Sequence, residues 1–398
     1  MAAIVAASCA TAPSFTTSPG ANHGQSGSVP ALAGSGATGG SSATPGSSAT
    51  CATRTLADMT EEQRVGQLFV LGVEGDNLSA AETSAIETDH FGSAYLVNSR
   101  TGGVESVQTL TSAIDALATD SNTHGVGFFV AADQEGGRVQ RLSGPGFTTI
   151  PSALLQGQIP TATLQAEAAT WGRELSAAGV NLDLGPVMDV VPPGADAINE
   201  PIGALQREYG HDPTTVSSHG AAVIKGMAQA GIATTLKHFP GLGRVVGNTD
   251  TTAGVVDSTT TAEDPYLAAF QTGIQVGAPF VMVSLATYSA IDPDHQAVFS
   301  PTIIGTLLRG QLGFKGVVVS DDLGATAAVS SLAPGARATA FIASGGDLIV
   351  VVSVSPAIEM AAAVLARARS DTVFAAQVDT AALQVLEVKA TYGLLSCG

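Results

Sequence analysis

The stretch "IATTLKHFPG" (232–241) decides how this chain is read. A β-branched apolar run, "IATTLK" (232–237), has the composition of a strand buried on both faces. It ends in Lys237-His238 and then turns on Pro240-Gly241. A strand that carries a cation and an imidazole to its C-terminal end is delivering them to a site.

Seven more runs of the same kind lie on either side. They are "LFVLGV" (68–73), "SAYLVN" (93–98), "GFFVAA" (127–132), "VNLDLG" (180–185), "FVMVSL" (280–285), "GVVVS" (316–320) and "DLIVVV" (347–352). Between them lie segments with helical spacing. "TEEQRVGQ" opens on Thr60 with Gln63 three residues on, which is the capping-box pattern. "LQAEAATWGRELSAAG", "SSHGAAVIKGMAQAG", "DPYLAAFQTGIQVG" and "SPTIIGTLLRGQLG" each run to a glycine stop. Eight strand units alternating with helices predict an α/β fold, a (β/α)8 TIM-type barrel forming a single catalytic domain. The rival is an open doubly wound sheet, but no GxGxxG follows the first strand.

The chain has 398 residues, enough for one large core, with 45% hydrophobic and only 13% charged residues and a net charge of -18. That acidity argues against nucleic acid and against anionic headgroups, and leaves a neutral ligand such as a sugar open. Residues 1–53 contain no Asp, Glu, Lys or Arg and are rich in Gly, Ser, Ala, Thr and Pro, so they read as a disordered tether, with the folded domain at 54–398. The opening "IVAASC" is similar to the end of a bacterial lipoprotein signal, although the basic n-region is missing. Cys9 is therefore a candidate lipidation site, the alternative being an Ala-rich tail. Lipidation would place the protein outside the cytoplasm, on the membrane or secreted. Cys51 and Cys397 flank the folded part and are a candidate disulfide, as against two free thiols.

In a barrel of this kind the chemistry sits past the C-terminal ends of the strands. Strand 3 runs into "DQEGGRVQRL" (133–142), strand 4 into "GPVMDV" (185–190), strand 6 into Ser284 and strand 7 into Ser320-Asp321-Asp322. Charge is sparse elsewhere, so this convergence on one rim points to a substrate pocket. A barrel aldolase using Lys237 as a Schiff base would leave the other rim residues unexplained.

"DQEGGRVQRL", "KHFPG" (237–241) and "GFKGVVVSDDLGA" (313–325) together resemble glycoside hydrolase family 3, in its single-domain β-N-acetylglucosaminidase branch. The likeness runs in order from about residue 54 to the C-terminus, and the lipoprotein-like start resembles actinobacterial members. The resemblance implies retaining hydrolysis of terminal β-linked N-acetylglucosamine, from peptidoglycan or muropeptide fragments; no cofactor is needed, the seven His show no HExxH or paired spacing so no metal is expected, and a monomer is expected. It assigns the nucleophile to Asp321, with Asp322 facing elsewhere because neighbours on a strand point apart. It assigns sugar binding to Asp133, Arg141, Arg207, Lys237 and His238. For adjacent Lys237 and His238 both to reach one substrate, the backbone there must be distorted or cis.

From Phe239 to about Asp264 nothing reads as helix or strand, and a long loop in a compact barrel is usually functional. The family carries an Asp-Ser-His triplet there, but this chain has Asn248-Thr249-Asp250. Asp250 is the candidate acid/base, with Asn248 orienting it. Glu135 and Asp257 are the other carboxylates to weigh, and a missing acid is the remaining option. Two rivals stay open: another β-glycosidase or phosphorylase preference, and a cell-wall sugar-binding lipoprotein. Trp171 reads as core, and Tyr288 as a neighbour of the sugar or of the core.

Overall fold

The computed structural model describes residues 45–396. The expectations placed on Cys9, on Cys397 and on residues 1–44 lie outside the described residues. Residues 45–53, assigned to the tether, form the first half of a helix, Pro45–Asp58. Cys51 is buried on it and is disulfide-bonded. Among the described residues no helix is long and apolar enough to cross a membrane.

All eight apolar runs are strands: β1 Phe69–Val73, β2 Ser93–Leu96, β3 Phe129–Ala132, β4 Leu182–Asp183, β5 Ala233–Phe239, β6 Phe280–Val283, β7 Val317–Ser320 and β8 Ile349–Val351. They form one parallel sheet in sequence order, with β8 returning to pair β1 (Phe69↔Ile349). The remaining seam, between β7 and β8, holds one ladder bridge, Val319↔Leu348. Side chains supplement it. Ser320 Oγ accepts from Val350 N at 3.0 Å, and Asp347 Oδ2 accepts from Val318 N at 2.7 Å.

The helix signals hold. The Thr60–Gln63 capping box opens helix Glu61–Gly66. The glycine stops Gly179, Gly231, Gly277 and Gly313 all have positive φ, between 72° and 98°, where a side chain would be strained. Helices Thr161–Ala177, Pro213–Gln229, Leu267–Gln275 and Thr302–Gln311 wrap the outside. Trp171 is buried on the first of these, as core.

Alternate strand residues fill the barrel: Val70, Phe129, Leu182, Phe280, Val317 and Val350 pack together, with Phe129 and Phe280 edge to face at 5.2 Å. Each such buried side chain stabilises by roughly 1.5–3 kcal/mol. The N-terminal mouth of the barrel is plugged by the last helix, Thr372–Thr391. Its Lys389 is fully buried and donates to Gln67 Oε1 and to Gly92 O, both at 2.7 Å. Burial pushes that amine down to about 7. With this end closed by side chains, the C-terminal mouth is left for a ligand.

Candidate active site

That mouth holds a cavity of about 360 Å³. Every residue expected at the site lines it: Asp133, Arg141, Arg207, Lys237, His238, Asp250 and Asp321. Lys237 and His238 are joined by a cis peptide bond, as their shared target required.

One wall is a buried ionic network. Asp133, at the end of β3, accepts from Lys237 Nζ at 2.5 Å and from the Tyr95 hydroxyl. Lys237 also meets Glu135 at 2.6 Å, and Arg207 grips Glu135 with two bonds of 2.7 and 2.8 Å. Burial alone would raise the Glu135 carboxyl, but Arg207 and Lys237 hold it well below the usual range. Burial works against the Lys237 charge too, and Asp133 and Glu135 override it, so the amine is held protonated. A protonated, doubly paired amine is not a Schiff-base nucleophile, and a carboxylate clamped by two cations is not a proton donor. Lys237 as aldolase base and Glu135 as general acid are both set aside on that ground. Asp133 pairs with Lys237, and Arg207 reaches the cavity with its fork already engaged by Glu135.

His238 is set by a partner that the sequence reading passed over. Asp189, fully buried beyond β4, accepts from His238 N at 3.1 Å, from Leu242 N at 2.7 Å, and pairs with His238 Nδ1 at 2.7 Å. With Nδ1 taken, Nε2 is the ring atom left for the cavity. Asp183, on β4, lies beneath this wall and accepts from Gln134 N at 3.0 Å; burial raises its carboxyl to about 7.

The opposite wall carries Asp321, directly after β7. Burial raises its carboxyl; His238 opposes that and Asp250 adds to it. Asp322 also lines the cavity, but its carboxylate is committed elsewhere. Its carboxylate accepts from Gly324 N, Ala325 N and Val352 N and so ties the loop after β7 to the end of β8.

The loop after β5 folds over this cavity. Arg244 pairs with Asp264 at 2.6 Å and stacks on Tyr266, while Asn199 Nδ2 donates to Leu242 O and Val245 O at 2.7 Å. At its tip the Asp250 and Thr249 carbonyls accept from Ala327 N and Ala328 N, at 3.0 and 3.1 Å. Asn248 Oδ1 accepts from Asp250 N at 3.0 Å, an Asx turn that fixes the backbone at Asp250. Asp257 is no rival. It is buried, accepts from Thr259 N, Thr260 N and the Thr260 hydroxyl, and braces the loop away from the cavity. Tyr288 is also away from it, donating to Gly241 O at 2.9 Å.

Three contributors were missed: Tyr95, Glu135 as network centre and Asp189. Each had a weak signal, a polar or ionisable group at the end of an apolar run ("SAYLVN", "DQEGG", "GPVMDV"). What was not visible was which rim residue would meet which.

A parallel barrel with two carboxylates facing one cavity, beside a cation-buttressed wall of acceptors, defines a glycosidase-type site. Residues 60–388 match the family described as glycosyl hydrolase family 3 N terminal domain. A beta-hexosaminidase of Stenotrophomonas maltophilia (strain K279a) is 35% identical over 300 residues, covering 71% of this chain and 83% of that protein. The beta-N-acetylhexosaminidase of Beutenbergia cavernae DSM 12333 superposes with a TM-score of 0.82 at 51% identity, covering 84% of this chain and 99% of that one. A family 3 beta-N-acetylglucosaminidase from Paenibacillus sp. str. FPU-7 gives 0.77 at 28% identity, over 85% of this chain and 64% of that one. This chain belongs to glycosyl hydrolase family 3.

Proposed function

We propose that this enzyme removes terminal β-linked N-acetylglucosamine with retention, using Asp321 as nucleophile and Asp250 as general acid/base. The chain is a β-N-acetylhexosaminidase by family and by likeness to its relatives. The observation that carries the assignment of roles is that Asp321 and Asp250 line one cavity, Asp321 half-buried at the end of β7 and Asp250 exposed on the covering loop. A half-buried carboxylate beside His238 is poised to attack an anomeric carbon and form a glycosyl-enzyme. A carboxyl on the covering loop reaches the leaving oxygen, donates its proton, and later takes one from water. Asp133, Arg141, Arg207, Lys237 and His238 hold the sugar. A carboxylate such as Asp133 accepts hydrogen bonds from two neighbouring hydroxyls.

We further propose cell-wall fragments as substrates, on an extracytoplasmic enzyme held by a lipid on Cys9. The lipoprotein-like "IVAASC" supports the anchor, and the disulfide-bonded Cys51 supports an oxidising compartment.

The test is steady-state hydrolysis of an aryl β-N-acetylglucosaminide and a natural disaccharide by wild type and Asp321→Ala. Cleavage by wild type with retained configuration, and a drop of at least about 10³-fold in the variant, is expected. Wild type that binds the sugar but cleaves neither compound would instead indicate a cell-wall binding protein.

A further inference from the structure

Away from the cavity, Asp196, Glu208 and His211 bring one carboxylate oxygen each and one imidazole nitrogen within 4.8 Å of one another. We propose that these three side chains form a divalent-cation site of zinc type. Glu208 is fully buried, yet neither of its carboxylate oxygens makes a well-formed hydrogen bond among the described residues, with only the Glu208 and Arg207 backbone and the Asp196 carboxylate close to it. Asp196 Oδ1 is buried and unpartnered in the same way. A buried carboxylate so weakly satisfied is costly, and a second one beside it adds repulsion. No Lys or Arg pairs with either among the described residues. Arg207, next in sequence to Glu208, has its fork committed to Glu135. The one charge partner is His211, whose Nε2 stands 3.6 Å from Asp196 Oδ1.

That geometry suits an ion better than a hydrogen bond. Two ligands about 2.0–2.1 Å from a tetrahedral ion stand roughly 3.4 Å apart. His211 Nδ1 lies 3.3 Å from Val191 O. Donating its proton there leaves the Nε2 lone pair free to coordinate, the usual outer partner of a ligating histidine. Asp196 is held by a tight turn, with Ile198 N and Asn199 N both donating to Ala195 O, at 3.0 and 2.9 Å. A Cβ on Gly203 would lie 2.7 Å from Asp196 Cα, so the two segments are already in close contact. One imidazole and two carboxylates favour zinc-like ions over calcium or magnesium. The side chains of His211 and Asp196 are 35% and 39% exposed, which leaves a coordination position open to water.

The test uses the full chain, stripped with EDTA, dialysed, and titrated with ZnCl2. About one zinc per chain should survive desalting, measured by mass spectrometry, with a rise in Tm; Co2+ should give the visible absorption of a tetrahedral N/O site. Glu208→Gln and the half-exposed His211→Gln should each weaken zinc binding by at least about 100-fold, while Asp250→Asn keeps it. The second ligand variant answers the question even if Glu208→Gln does not fold. No zinc on wild type, zinc kept by both ligand variants, zinc lost with Asp250→Asn, or a response to Ca2+ alone would each overturn the proposal.

Discussion

Asp189 holds His238 twice, by its backbone amide and by its ring, at 3.1 and 2.7 Å. The imidazole therefore reaches the cavity in one orientation and with one nitrogen presented. The same carboxylate also receives Leu242 N, which starts the covering loop. The imidazole and the covering loop thus share one anchor.

Asp189→Asn keeps the shape but replaces one acceptor face with a donor. It should cut kcat/KM by about tenfold or more by misplacing Nε2. Steady-state kinetics alongside circular dichroism separates this from misfolding, and a change under twofold in folded protein would remove the positioning role.

Asp250→Ala should spare the aryl substrate and lose the natural one. An activated leaving group departs without a proton, whereas a sugar hydroxyl needs it, a difference of about 10²–10⁴ in rate. Equal losses on both substrates would point to a binding role.

Glu135→Gln strips a charge partner from both Lys237 and Arg207, and all three are largely buried. Leaving buried cations short of a partner should destabilise by about 3–5 kcal/mol. Urea denaturation would show it as a lower midpoint with unchanged slope.

Asp183 gives stability a pH slope of definite sign. Its folded carboxyl titrates at about 7, against about 4 when unfolded. The folded state binds the extra proton between these values. Its contribution is complete below about 4 and lost as pH rises through about 7. Asp183→Asn should flatten that part of the Tm–pH curve and be more stable than wild type at pH 8, by a few kcal/mol at most. A curve with an unchanged slope would mean that another group sets it.

Much of this was legible in the sequence because strand and rim follow local rules. Each apolar run is a strand since its β-branched side chains suit a sheet buried on both faces, and each glycine stop takes the positive φ that only glycine adopts without strain. The rim residues could be named because charge is scarce and the C-terminal end of a barrel strand is where it is tolerated. The pairings could not. Glu135 was weighed as an acid because its partners, Lys237 and Arg207, are far away in sequence and meet it only through strand order. The helix Pro45–Asp58 was hidden by a Gly/Ser/Ala/Thr composition that it shares with the residues before it. Glu208 was read past as part of the Arg207 segment, since nothing in "QREYG" shows that its carboxylate is buried and so weakly satisfied.

The closure of the barrel through β8 and the plug of helix Thr372–Thr391 constrain the order of events as the chain leaves the ribosome. β1 is among the first strands to emerge, yet one of its two edges stays unpaired until residues 349–351 arrive. Asp321 will already be outside by then, on a half-built sheet with one end still wet. The barrel is thus complete only when its last strand and helix are in place, and a product truncated before the final helix would leave the apolar barrel floor uncovered.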